Sequence, residues 1–106
     1  MKNLNMKAKS SKVQQILNKE KSILFFVRYG YFIHRESDEK LIMRKAGTQF
    51  TISGEKFPKE LSISFQNNET EVSLKYDGFA LFDTGDLQEE LDLISSRIKT
   101  NIPNLV

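Results

Sequence analysis

The 106-residue sequence contains no cysteine and no tryptophan. Without cysteine there is no disulfide, no thiolate metal ligand and no thiol nucleophile. A single histidine, His34, leaves no multi-histidine metal site within one chain. Two prolines and five glycines are too few for a collagen-like or low-complexity chain. The longest uninterrupted apolar run, Ile23 to Val27, falls far short of the ~20 residues with which a helix spans a bilayer. Gly30, Gly47, Gly54, Gly78 and Gly85 never recur at a phosphate-loop spacing. These absences lead to the expectation of no cofactor, no metal and no enzymatic activity. Met1 to Ser11 is polar and basic with no apolar core, unlike a secretory signal, so a cytoplasmic location is expected.

What is present is ordinary globular usage: 39% hydrophobic and 28% charged residues. A chain this long reads as one domain able to bury roughly 65% of its unfolded surface. The net charge of +2 is too small to argue for nucleic acid, but its distribution is uneven. Six lysines stand against Glu20 in residues 1–21, whereas six carboxylates stand against Arg97 and Lys99 in residues 77–106. A basic head and an acidic tail suggest contact between the ends, head-to-tail association or docking on an acidic surface, beside the plainer reading of two solvated helix faces.

Residues 1–10 read as a flexible basic arm, 11–100 as a single α+β domain and 101–106 as a C-terminal tail. Ser11 with Gln14 makes a capping box for a helix over about 12–20, with Val13, Ile16 and Leu17 as its stripe. From Ile23 to Ile33 the odd positions are all apolar or aromatic, which predicts a long strand. A second long strand is expected over 40–52. Joined by Glu36–Glu39, the pair sets Ile33 opposite Ile42, Tyr31 opposite Arg44 and Phe25 opposite Phe50, so their apolar faces coincide. Gly30 and Gly47 then meet in mid-hairpin, which predicts a curled ribbon. Leu61, Ile63 and Phe65 alternate with polar residues, and Asn67-Asn68 makes a two-residue turn pairing Leu61 with Leu74 and Ile63 with Val72. Asp77-Gly78 predicts a further hairpin. Leu87, Leu91, Ile94 and Ile98 form one helical stripe over 86–99, with acids in the first turns and Arg97 and Lys99 in the last. The expected fold is therefore α+β: an N-terminal helix, a curled five-stranded antiparallel meander with a long first hairpin, and a C-terminal helix packed on the sheet.

Few residues suggest chemistry. The string Ala80-Leu81-Phe82-Asp83-Thr84-Gly85 resembles the active-site signature of retroviral-type aspartic proteases, which implies Asp83 as the catalytic residue. The string departs from that family in lying near the end of the sequence, before a helix, and in carrying Asp at position 86. The preferred reading is a strand end, a glycine turn and a helix cap. Asp83, Asp86, Glu89 and Glu90 lack calcium-loop spacing and suit a helix N-terminus. His34 reads as a surface residue at a hairpin end. Tyr31 opposite Arg44 is a cation–π candidate. Aromatics interleaved with Arg28, Arg44 and Lys45 loosely resemble an RNA-stacking sheet, but the element order differs from an RNA-recognition motif.

The leading functional expectation is a small non-enzymatic protein-interaction or regulatory domain. Its second sheet face, showing Leu24, Phe26, Phe32, Leu41, Met43 and Phe82, is left over for a partner or a second copy. Phe26, Phe32 and Met43, with Arg28 and Lys45 beside them, are the candidate binding residues. The alternative is a ligand- or lipid-surface-binding module. In element order alone the chain resembles pleckstrin-homology-type and cystatin-like domains, and the basic N-terminus then implies peripheral membrane contact.

Overall fold

Alternation of apolar and polar residues governs the centre of the chain. In the computed structural model, which describes residues 8–46, 58–76 and 86–106, two strands follow from it: β4 (Lys59–Gln66) and β5 (Glu69–Tyr76). Asn67 and Asn68 turn between them at φ 57° and 61°, the left-handed pair that a tight hairpin demands and that asparagine tolerates. Leu61 pairs with Leu74, Ile63 with Val72 and Phe65 with Thr70, the register expected from the sequence.

The remaining strands are β1 (Lys9–Val13), β2 (Tyr31–Glu36) and β3 (Lys40–Lys45). One five-stranded antiparallel sheet results, in the order β1-β5-β4-β3-β2. The α+β class and the five antiparallel strands agree with the sequence reading, but the strands are not all the expected ones. The first element is strand β1, not a helix over 12–20: Lys9 to Val13 pairs along β5, from Leu74 to Thr70. Only β2 to β5 form a meander, since β1 lies beside β5.

The second correction concerns residues 19–27, which form helix α1 (Lys19–Val27) and not the first half of a long strand. Asn18 caps it, its side chain accepting from the Lys21 N–H at 2.9 Å, and Ser22 N–H bonds back to the Asn18 carbonyl at 2.9 Å. Ser22, Phe25 and Phe26 are buried and Tyr29 is half-buried, an i, i+3, i+4, i+7 stripe that fits a helix. Gly30, at φ +90°, ends the helix in a conformation that strains any side chain. The chain crosses through α1 from β1 at one edge of the sheet to β2 at the other.

A third correction is one of register. Tyr31 pairs with Lys45, Phe32 with Arg44 and Ile33 with Met43; the register then shifts, so that Arg35 pairs with Ile42 and Glu36 with Leu41. His34 occupies this bulge and is exposed. A slip of one residue exchanges the faces of a strand. Leu41 and Met43 accordingly point into the core, each 0% exposed, while Ile42 lies on the other face.

Helix α2 (Asp86–Thr100) covers β1 and β5 with the expected stripe, and Leu87, Leu91, Ile94 and Ile98 are all buried. The short α3 (Ile102–Leu105) turns back to α1, where the Leu105 carbonyl accepts from Asn18 N–H at 2.6 Å. The loop from β1 to α1 is held by Thr70, whose hydroxyl accepts from Leu17 N–H at 2.9 Å and donates to the Gln15 carbonyl at 2.7 Å. Of the arm expected over 1–10, Lys9 and Ser10 belong to strand β1 and residues 1–7 lie outside the described residues, as do the strand extension and Gly47 within 47–57, the Asp77-Gly78 hairpin, Phe82 and the Asp83-Thr84-Gly85 string. No described helix is long and apolar enough to cross a membrane.

Candidate functional site

Strand alternation gives the sheet two faces of different character. On the open face, away from α2, Phe32, Arg44, Glu60 and Lys75 stand in one row across four strands. Glu60 bridges Arg44 at 3.4 Å and Lys75 at 3.6 Å. Ser10 and Ser73 share a hydrogen bond at 2.8 Å, and Lys12 meets Glu69 at 3.5 Å. This face is polar and largely satisfied by its own pairs.

On the covered face, the corresponding row is Tyr31, Lys45, Lys59 and Tyr76. Two lysines opposite one another on neighbouring strands repel unless an anion lies between them. Glu90 of α2 supplies that anion: one oxygen lies 3.2 Å from Lys45 Nζ and the other 3.6 Å from Lys59 Nζ. The Tyr31 hydroxyl donates a short hydrogen bond to the same carboxylate, and Lys45 Nζ lies 5.4 Å from the Tyr31 ring centre. The sequence-predicted cation–π partner of Tyr31 was Arg44; the register shift puts Lys45 there instead. Burial, and then the hydrogen bond and charge of Glu90, push the Tyr31 pKa far above its ordinary value. A cavity of about 350 Å³ opens beside this hub, lined by Tyr29, Lys45, Lys59, Glu90 and Leu93 among others. Glu89 lines it as well, so two lysines and two glutamates balance there. The hub therefore serves to lock α2 onto the sheet.

The helical side carries a different arrangement. Lys21, Leu24 and Arg28 follow one another at i, i+3 and i+7 along the outer surface of α1. Arg97, Asn101, Asn104 and Leu105 line the facing end of α2 and α3, and Phe25 and Tyr29 form the floor. Together they enclose a groove of about 470 Å³ whose lining, among the described residues, holds three cations and no Asp or Glu. Leu24 is 68% exposed and Val27, its neighbour on α1, 51%.

The five candidate binding residues do not meet in one patch. Phe26 is 1% and Met43 0% exposed, so both are core residues of the single chain, not surface ones. The face that would have shown them is reversed by the one-residue shift in β3 and by the helical turn of α1. Phe32 is exposed at the sheet edge, Lys45 belongs to the Glu90 hub, and Arg28 lines the groove. Sequence reasoning missed Lys59 and gave Glu90 only a helix-terminus role, although each is in phase with the core: Glu90 follows Leu87 by three, and Lys59 precedes Leu61 by two. No protein-family model, curated protein or solved structure matches the chain.

Proposed function

We propose that this protein is a small non-enzymatic interaction module whose docking surface lies on its helical side, along α1 and the end of α2. The observation that carries the reading is Leu24: a large apolar side chain, 68% exposed, at the lip of a groove lined by three cations and, among the described residues, by no Asp or Glu. Exposed apolar surface rimmed by polar residues marks protein contact sites, where arginine is enriched. The open sheet face is a weaker candidate, because its charges already pair with one another.

A photocrosslinking amino acid placed at Leu24, and in a second variant at exposed Lys75 on the open sheet face, tests this in cells that express the protein. The expected result is a discrete protein adduct, with another protein or a second copy, from position 24 only. Adducts from neither position, or equally from both, would contradict the reading.

A further inference from the structure

We infer that the occupant of the groove between α1 and the α2–α3 corner is a short acidic segment of a partner protein, carrying carboxylates together with one or two large apolar side chains. This rests on the interaction reading above and names the chemistry of the partner. Charge complementarity is the argument. Lys12, Lys19, Arg44, Lys45, Lys59 and Lys75 each meet a carboxylate within the chain. Lys21, Arg28, Arg35, Lys40, Arg97 and Lys99 meet no Asp or Glu among the described residues, and three of them, Lys21, Arg28 and Arg97, line one groove together. Lys21 makes one hydrogen bond, to a main-chain oxygen of Val106, the last residue, at 3.1 Å, and an ammonium has two further donors.

Each helix end gains something from a cation near its C-terminus, which accounts for Arg28 capping α1 and Arg97 in the last turn of α2. That effect does not require the two guanidinium groups to share a groove. Planar guanidinium forks are suited to binding carboxylates two-pronged. Leu24, Phe25 and Leu105 add an apolar floor and lip that a bare anion would leave unused. A polyanion such as nucleic acid needs a basic track continuing beyond the groove. The open sheet face instead pairs acid with base.

The test is fluorescence anisotropy with a labelled synthetic peptide alternating Glu with Leu and Phe. Its controls are a Glu-to-Gln version of the peptide, inorganic phosphate as competitor and phosphatidylglycerol vesicles. Binding of the acidic peptide is expected to weaken about tenfold or more in the Arg28→Gln/Arg97→Gln double variant. It is also expected to weaken with added salt, and in Leu24→Ala. Circular dichroism checks that the variants fold, and the Glu-to-Gln peptide gives the same answer on unaltered protein. The inference is overturned if the acidic peptide does not bind, if it binds the double variant or the Gln peptide binds equally well, or if vesicles or phosphate bind in its place. A Leu24 adduct in cells without acidic-peptide binding would overturn this chemistry alone; no adduct at Leu24 would overturn the interaction reading itself.

Discussion

Replacing Phe26 by alanine separates the core assignment of this residue from the interface role that strand alternation suggests. Phe26 is 1% exposed, with its ring edge-on to Phe25 at 5.1 Å and to Tyr31 at 6.2 Å between centroids. Emptying such a site costs about 3–5 kcal/mol, the transfer of the ring plus the cavity left behind. The two edge-on contacts, each worth about 0.5–1.5 kcal/mol, favour the upper end of that range. Phe32, 51% exposed, keeps half its surface in water in the folded state, so Phe32→Ala costs only about 1 kcal/mol. Urea unfolding followed by circular dichroism reads both. With a slope of about 2 kcal/mol per molar urea, Phe26→Ala lowers the midpoint by about 2 M and Phe32→Ala by about 0.5 M. Domains are stable by only about 5–15 kcal/mol, so Phe26→Glu, which buries an unpaired charge, unfolds the chain. Equal midpoint shifts for the two alanine variants would refute the reasoning. So would a Phe26→Ala protein of undiminished stability whose solution mass falls, since that would place Phe26 between two copies.

Three further outcomes follow from the packing. Tyr31 has a pKa raised above its ordinary 10.0, so the folded state holds this proton more tightly than the unfolded state. Its contribution is fully present below pH 10 and declines above it by about 1.4 kcal/mol per pH unit. The stability advantage of the wild type over Tyr31→Phe should shrink accordingly between neutral and strongly alkaline urea titrations; an advantage independent of pH would refute the Tyr31–Glu90 bond. Thr70→Val strands the Leu17 N–H and the Gln15 carbonyl, costing about 2–3 kcal/mol and accelerating amide exchange in residues 15–18; unchanged exchange there would count against the assignment. Asn68→Gly leaves stability within about 0.5 kcal/mol or raises it, whereas Asn68→Val lowers it by more than 1 kcal/mol, because φ 61° suits glycine and opposes a β-branched residue; the same urea assay decides this.

The class of fold and half of the sheet were legible in the sequence because local rules agree there. Leu61, Ile63, Val72 and Leu74 alternate, Asn67-Asn68 supplies the left-handed turn, and Leu87, Leu91, Ile94 and Ile98 repeat at helical spacing. At residues 23–31 the local rules conflict. Five consecutive apolar residues satisfy both periods, and short apolar runs do not distinguish helix from strand. The Asn18 cap and the Ser22, Phe25, Phe26, Tyr29 stripe decide for a helix, with Gly30 as its stop. The β2–β3 register depended on where the turn fell. Glu36 pairs with Leu41, a displacement of two from the expected register, and the bulge at His34 takes one back; the net shift of one over Tyr31–Ile33 puts Lys45 opposite Tyr31 in place of Arg44, on the same face as Leu41 and Met43. The groove was not legible. Lys21, Leu24 and Arg28 form a pattern only once 19–27 is a helix, and Arg97 joins them only through the α2–α3 corner.

The most direct test of the account is an amide-shift map recorded while the acidic peptide is titrated into isotope-labelled protein. The expected result is a contiguous set of shifts over Lys21–Arg28, Arg97 and Asn101–Leu105, with the Phe32, Arg44, Glu60 and Lys75 row unmoved. Shifts centred on that sheet row, or no shifts at all, would contradict it.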